Sequence, residues 1–453
     1  MTPKLKLKMY WFKINRSVNI TIMKSIHYQF FVCIIFLGFI SVGNGQNLLL
    51  KQTNESGVYR KGQKIQVALF SKDPGKDSIE IKILRNFGLQ YSKNKIRYVG
   101  DSLVIFEEVS DKPGSIIIEL STKSETTSIG LIVDPENFKP VTTRPKDFDK
   151  FWNNEKAALR SLPMKVKAVE VASKETGYRC FDMEINCTGS KPARGYFAKP
   201  DSAKAKTLPI VVYFHAAGVN PNWARSEPGN AIRYATMGKG ALSFDLNAHG
   251  MLNGQPDEYY NLLNDGELKD YPKQGLDNKQ KIYFRGMYLR IIRTLEFLTN
   301  QPEWDRNRIL VIGESQGGGQ ALAAAGLDHR VSAVVATVPA MCDWGGFLVE
   351  RKDSWPYPYA SNYDKYQILN ILPYFDVVHL LKGSKAKLVV EIGLIDQSCL
   401  STAIYAAINQ AKGPKIIFNV PYRAHHLTQE SYREMWQNSV NKPKDRFILN
   451  YLK

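Results

Sequence analysis

The pentapeptide Gly313-Glu314-Ser315-Gln316-Gly317 is the stretch of the chain that decides the fold. The apolar run 309–312 leads directly into it, and a helix-forming stretch, 316–325, follows. A serine flanked by glycines between a strand and a helix is typical of a nucleophile elbow, because a Cβ on either neighbour would collide with the adjoining strand or helix. We therefore predict that Ser315 is a nucleophile, with an ordinary glycine-rich turn as the alternative.

Strand-like apolar runs alternate with helical patterns from residue 148 to 453. This alternation predicts a mostly parallel, doubly wound sheet with helices on both faces, and the serine motif makes it an α/β-hydrolase domain. The clearest helical patterns are 283–298 and 316–325. The predicted strands are 209–215, 241–245, 309–313, 331–338, 387–393 and 415–420.

A nucleophilic serine needs a base, and the base needs a carboxylate that orients it. In this fold the acid follows the serine along the chain, and the histidine follows the acid. Asp396 comes directly after the strand predicted at 387–393, and His425 comes after the last predicted strand. Both would lie at the carboxyl edge of the sheet, so we predict the catalytic set Ser315, Asp396 and His425.

Three other side chains stay open for these roles. His426 adjoins His425 and is the alternative base, while Asp343 and Asp376 are alternative acids that do not end a strong apolar run. Four further histidines are expected outside the triad. His215 and His249 would shape loops or bind substrate, and His329 and His379 would have no chemical role.

Two backbone N–H groups are expected to bind the oxyanion. One belongs to Gln316, the residue after the nucleophile, at a helix start where the positive end of the helix dipole also favours negative charge. The second belongs to the loop after an early strand. In this sequence that loop is His215-Ala216-Ala217-Gly218, and Ala217 is the predicted donor.

Residues 46–134 have a different sequence pattern, in which short β-like runs are separated by Gly, Asp, Asn and Pro. We predict a small all-β sandwich of immunoglobulin type there, followed by a proline-rich linker at 135–147. No histidine occurs between residues 28 and 214, so this domain would support the enzyme, contact carbohydrate or act as a spacer.

Residues 1–45 have the features of a secretory leader. They contain six Lys or Arg and no Asp or Glu, then an apolar run at 30–40 and small residues at 41, 43 and 45. This order predicts a signal peptide and export to the periplasm or outside the cell. The run is shorter than the roughly 20 residues of a membrane span, so we expect no stable membrane insertion; a retained signal anchor is the alternative.

The formal net charge of +18 does not predict nucleic acid as a partner, because the basic residues beyond the leader are scattered among acidic ones. Cys180, Cys187, Cys342 and Cys399 show no CxxC spacing and no histidine cluster. We therefore predict no metal and no other cofactor. Buried free thiols and a disulfide both remain open for the cysteines.

Several segments in one order resemble the acetyl xylan esterases and cephalosporin C deacetylases of carbohydrate esterase family seven, over about residues 140–453. They are Phe148-Asp149-Lys150-Phe151-Trp152, Gly195-Tyr196-Phe197, Arg285-Gly286-Met287, Asp305-Arg306-Asn307-Arg308, the serine motif through Gly319, Val338-Pro339-Ala340 and Gly393-Leu394-Ile395-Asp396. The resemblance implies a serine ester hydrolase that removes acetyl groups from xylan or xylo-oligosaccharides. It also implies a homo-oligomer without a metal cofactor.

Three departures from the family pattern affect the pockets rather than the backbone donors. The family's His-Gly-Tyr loop is His215-Ala216-Ala217 in this chain, its Arg-Gly-Gln is His249-Gly250-Met251, and its final Gly-His-Glu is Ala424-His425-His426. Acetyl specificity is therefore a weaker expectation than hydrolase chemistry. A peptidase-like or lipase-like serine hydrolase is the first alternative, and a non-catalytic binding protein on the same scaffold is the second.

Overall fold

The structure, a computed structural model, describes residues 48–453 with the exception of 72–77, 89, 98–99, 101, 190 and 427–428. The predicted leader, 1–45, lies outside the described residues. The residues described belong to one compact unit, Gly43–Lys453. Within this described part of the chain, none of the helices combines the length and the apolar character needed to span a bilayer.

Eight strands between Leu48 and Val133 form two small sheets, which we call the β region. One sheet has the order β1-β3-β6 and the other β2-β8-β7-β4-β5. Buried and half-buried residues alternate along β3, as expected for a strand with one face on a core. That this region is an immunoglobulin-like domain stays a prediction. The strands are β1 (Leu48–Gln52), β2 (Val58–Tyr59), β3 (Lys64–Ser71), β4 (Ser78–Arg85), β5 (Gln90–Arg97), β6 (Ser102–Val109), β7 (Gly114–Ser121) and β8 (Thr126–Val133).

A nine-stranded sheet with the order β17-β16-β15-β14-β12-β13-β11-β10-β9 forms the larger part of the molecule. Strands β12 to β17 pair in parallel, while β9, β10 and β11 form an antiparallel edge. The predicted mostly parallel sheet is therefore present. The strands are β9 (Val166–Val171), β10 (Tyr178–Ile185), β11 (Ala193–Pro200), β12 (Leu208–Phe214), β13 (Leu242–Leu246), β14 (Trp304–Glu314), β15 (Ala333–Thr337), β16 (Lys387–Gly393) and β17 (Lys415–Val420).

Helices cover both faces of this sheet. Along β14, Ile309 and Val311 belong to the core that contains α4 and α5, whereas Leu310 and Ile312 belong to the core that contains α10. Burial on both faces explains the continuous apolar runs that predicted these strands. The helices are α1 (Phe148–Ser161), α2 (Pro228–Ala235), α3 (Asp257–Asp265), α4 (Tyr283–Thr299), α5 (Gln316–Leu327), α6 (Lys365–Leu369), α7 (Val377–Leu380), α8 (Ser401–Ile408), α9 (Arg433–Trp436) and α10 (Lys442–Tyr451).

The β region packs against the carboxyl edge of the large sheet. The N–H of Gly130 in β8 donates to the carbonyl of Pro421, just beyond β17, over 2.7 Å. In the same area the amide of Gln429 donates to the carbonyl of Ser128 over 3.0 Å. Four apolar side chains of the β region belong to the main core of the large sheet: Leu84, Phe87, Ile117 and Ile132.

Candidate active site

Ser315 stands on a strained turn between β14 and α5. Its φ of 55° and ψ of −121° lie in a region that side chains with a Cβ rarely adopt, as expected of a nucleophile elbow. The flanking glycines are required by close packing. A Cβ on Gly313 would lie 2.8 Å from the nitrogen of Gly318, and one on Gly317 would lie 2.7 Å from the carbonyl carbon of Phe214. The two glycines of the sequence motif are therefore a steric requirement of this turn.

The structure brings Ser315, His425 and Asp396 together at the carboxyl edge of the sheet. The Oγ of Ser315 lies 2.9 Å from Nε2 of His425, and Nδ1 of His425 lies 2.9 Å from Oδ2 of Asp396. Asp396 is fully buried, and its other oxygen accepts the backbone N–H groups of Ser398 (2.8 Å) and Cys399 (2.9 Å). This hydrogen-bond chain is the arrangement in which a carboxylate orients an imidazole that deprotonates a serine.

The alternative base and acids lie elsewhere. His426 is exposed, with its ring packed edge-on against His425 at 5.2 Å between centroids. Asp376 is buried and accepts backbone N–H groups of Asp343, Trp344 and Val378. Burial and the neighbouring Asp343 raise its pKa to about 7. Asp343 itself forms a buried ion pair with Arg351. Both carboxylates have structural partners.

The predicted oxyanion donors belong to two segments that touch. Gln316 is the first residue of α5, so its N–H has no partner within the helix. Residues 215–218, which follow β12, are called the oxyanion loop here. This loop lies beside the start of α5, because a Cβ on Gly317 would be only 2.9 Å from the carbonyl oxygen of His215. The fully buried side chain of Gln316 accepts a hydrogen bond from the hydroxyl of Tyr271. The ring of Tyr271 also packs edge-on against His249, with 4.6 Å between the ring centroids. Tyr271 thus holds the side chain of the first predicted oxyanion donor.

His215, the first residue of the oxyanion loop, and His249 are both buried. Nε2 of His215 pairs with Asp245, which raises the pKa of the imidazole although burial alone would lower it. Burial lowers the pKa of His249 to about 3, and its Nδ1 lies 2.7 Å from the hydroxyl of Tyr283. With 2% and 1% of their surface exposed, the two rings face protein rather than solvent. Of the two roles predicted for them, this placement favours loop shaping over substrate contact.

A buried charged cluster supports the segment that carries His425. Glu391 in β16 is fully buried and forms ion pairs with Arg423 and Lys444. Burial would raise the pKa of Glu391, but the two cations outweigh it and the pKa is lowered. Arg423 also donates to Glu314, next to Ser315, over 2.9 Å. Since Arg423 is two residues before His425, the cluster links both ends of the Ser–His pair.

One group of side chains in the described part of the chain has the spacing of metal ligands, and it overlaps the triad. Ligand atoms of Asp396, Cys399 and His425 lie within 4.8 Å of one another. Burial raises the pKa of the Cys399 thiol well above its usual range, which disfavours the thiolate that a metal ligand requires. The hydrogen bond between Asp396 and His425 also occupies one oxygen and one nitrogen of this set. The contacts therefore fit acyl transfer better than metal binding.

Sequence analysis missed Tyr271 and Trp223. Tyr271 lies 45 residues before Gln316, in a short Tyr-Pro-Lys turn without a recognisable motif. Trp223 lies beside the oxyanion loop, where its Nε1 donates to the carbonyl of Ala217 over 3.3 Å. No local pattern signals either contact. The cysteines Cys180, Cys187, Cys342 and Cys399 are all free, so the open question between thiols and a disulfide is resolved for them.

Comparison with known proteins gives the same family by sequence and by structure. The family model described as acetyl xylan esterase (AXE1) matches residues 132–440. The chain is 29% identical over 351 residues to the acetyl esterase Axe7A of Xylanibacter ruminicola, a match that covers 76% of this chain and 78% of that protein.

Two solved structures of acetyl xylan esterases resemble the chain. The enzyme from Paenibacillus sp. R4 is 26% identical and has a TM-score of 0.55, covering 70% of this chain and 98% of its own. Acetyl xylan esterase 1 from Thermoanaerobacterium sp. JW/SL YS485 is 21% identical with a TM-score of 0.56 and the same coverage, and it supports the fold alone.

Proposed function

The chain belongs to the acetyl xylan esterase family and is a carboxylic-ester hydrolase, and we propose that it removes acetyl groups from acetylated xylan or xylo-oligosaccharides. The proposal extends to a Ser-His-Asp mechanism with an acyl-enzyme intermediate. The observation that carries it is the continuous hydrogen-bond chain from Ser315 through His425 to Asp396, with 2.9 Å at each of its two links.

In the first step, Nε2 of His425 accepts the proton of the Ser315 hydroxyl as Oγ attacks the acetyl carbonyl carbon. The carbonyl π electrons move to the oxygen, which the N–H groups of Gln316 and Ala217 stabilise. Asp396 keeps Nδ1 of the imidazole protonated and stabilises the imidazolium. The tetrahedral intermediate then collapses, and the sugar oxygen leaves with the proton from His425.

In the second step, His425 takes a proton from water, and the resulting hydroxide attacks the acetyl-enzyme. Collapse of this second intermediate breaks the bond to Ser315 Oγ, which takes back the proton from His425, and releases acetic acid. Each oxyanion donor typically contributes about 100- to 1000-fold in rate, so both segments of the oxyanion hole matter.

Three further parts of the proposal concern the whole chain. Residues 1–45 would direct export to the periplasm or outside the cell. Residues 46–134 would form an immunoglobulin-like domain, joined by 135–147 to the catalytic domain at 148–453. The enzyme would act as a homo-oligomer.

The test is acetate release from acetylated xylan and xylo-oligosaccharides by the purified protein, with Ser315→Ala as the control. We expect turnover by the wild type and a loss of about four to six powers of ten in the variant, whose folding should be unchanged. A fluorophosphonate probe should label the wild type only. Release of acetate by Ser315→Ala at a rate near the wild type would exclude the mechanism. Ester hydrolysis without action on acetylated sugars would exclude the substrate class.

A further inference from the structure

A cavity of about 360 Å³ lies beside the oxyanion loop. Its volume is within the range of about 300–1,000 Å³ that is usual for small-ligand sites and exceeds what a two-carbon acetyl group needs. Because Ala217 and Gly218 form part of its wall, an occupant would lie beside the loop that carries the second predicted oxyanion donor. The lining also includes Asn220, Trp223, Arg225, Asn261 and Asn264.

Trp223 is exposed yet held in place. Its indole Nε1 donates to the carbonyl of Ala217 over 3.3 Å, and its own carbonyl accepts the N–H of Ala216 over 3.1 Å. Even so, 48% of its surface is exposed. A fixed aromatic ring that leaves a large apolar surface in solvent is typical of a binding platform.

The polar groups around this ring carry almost no net charge. Asn220, Asn261 and Asn264 supply amide side chains, which both donate and accept hydrogen bonds. Arg225 is the one charged side chain of the lining. Its guanidinium pairs with Asp257 over 2.6 Å and lies 3.8 Å from the centre of the Tyr260 ring, so its charge is already balanced.

We propose that this cavity is a subsite for a neutral sugar ring of the substrate, with Trp223 as its stacking platform. The C–H face of a pyranose would pack on the indole, and its hydroxyls would bond to the asparagine amides. The inference rests on the proposed deacetylation of sugars and adds to it a preference for uncharged rings next to the acetylated one.

A larger cavity of about 660 Å³ fits this role less well. Its lining includes the charged side chains Glu350, Arg351, Lys352 and Asp353, and it contains no residue of the oxyanion loop. It lies on the acid side of the site, where Lys352 and Tyr357 both donate to the carbonyl of Gln397 over 3.3 Å.

The binding experiment separates the subsite from catalysis. Xylotriose, which carries no ester, is titrated into Ser315→Ala by calorimetry and tryptophan fluorescence, and trigalacturonate serves as the acidic comparison. We expect xylotriose to bind and trigalacturonate not to bind. Adding Trp223→Ala or Asn261→Ala should weaken xylotriose binding by about tenfold and severalfold, respectively. Tyr366→Ala, which removes a 79% exposed ring outside the lining, should leave it unchanged.

Kinetics then test the subsite in turnover. The ratio of kcat/KM for acetylated xylo-oligosaccharide to that for p-nitrophenyl acetate should fall about tenfold in Trp223→Ala, because only the sugar reaches the indole. Equal losses of kcat/KM on both substrates would overturn the proposal, because they would indicate that Trp223 supports the oxyanion loop instead. Xylotriose binding that is absent, or insensitive to both cavity substitutions, would overturn it too. A wild-type enzyme that hydrolyses p-nitrophenyl acetate but no acetylated sugar would show that the proposed function is wrong, independently of the subsite.

Discussion

Replacing Gly130 with alanine should slow the enzyme by about 10- to 100-fold, although Gly130 lies in the β region and touches no reacting group. A Cβ at this position would lie 2.8 Å from Cβ of Leu394 and closer still to the Leu394 carbonyl. Since ordinary contacts begin at 3.4 Å, Leu394 must move by at least about 0.6 Å. Leu394 is two residues before Asp396, so the displacement would reach the carboxylate that orients His425.

The assay is steady-state hydrolysis of p-nitrophenyl acetate, combined with thermal melting to confirm folding. The loss should appear in kcat, because the substitution changes no expected substrate contact. Gly114→Ala is the matched control. It lies in the neighbouring strand β7, and its added Cβ would meet only Asn86 Oδ1, at 3.7 Å. A folded Gly130→Ala enzyme with kcat within threefold of the wild type would refute the reasoning.

Three other predictions address the site and its surroundings. Tyr271→Phe should lower kcat about tenfold with KM unchanged, because the side-chain oxygen of Gln316 loses the hydroxyl that donates to it. The control is Tyr288→Phe, which removes a hydroxyl that donates to the carbonyl of Phe375 in the core. An unaltered kcat in Tyr271→Phe would contradict the proposed role of Tyr271. His425→Ala should reduce turnover by about 10⁴-fold or more and His426→Ala by less than tenfold, and the reverse order in the same esterase assay would exchange their roles. Stability should fall as the pH drops below about 6.5, because burial lowers the pKa of His249 to about 3 and the unfolded chain takes up the proton first. Urea unfolding at pH 7 and pH 5 checks this, and His249→Gln should narrow the difference between the two free energies of unfolding.

The large sheet was predictable where its strands are buried on both faces. Strands β16 and β17 begin and end at the predicted residues, and β14 and α5 contain the predicted runs at 309–313 and 316–325. Strand β9 of the antiparallel edge was not predicted. Strand β9 is exposed along most of its length, so its sequence carries no apolar run from which a strand could be recognised.

The residues of the proposed triad were predictable because their order along the chain follows from the topology. The motif around Ser315 and the ends of two buried strands identify the same three residues that the structure places in hydrogen-bond contact. The surroundings of the site depend instead on contacts between distant segments. Nothing in the local sequence indicates that Tyr271 reaches Gln316, or that Gly130 faces Leu394 across 264 residues.

The β region contributes apolar side chains to the main core, and this affects how the protein unfolds. Leu84, Phe87, Ile117 and Ile132 share one buried cluster with residues of the large sheet. Removing the β region would therefore expose hydrocarbon on the remaining part, at a cost of roughly 25 cal/mol for each Å² uncovered. Calorimetry should accordingly record one cooperative endotherm instead of two. A shortened enzyme that starts near residue 148 should aggregate unless these apolar contacts are replaced by polar side chains.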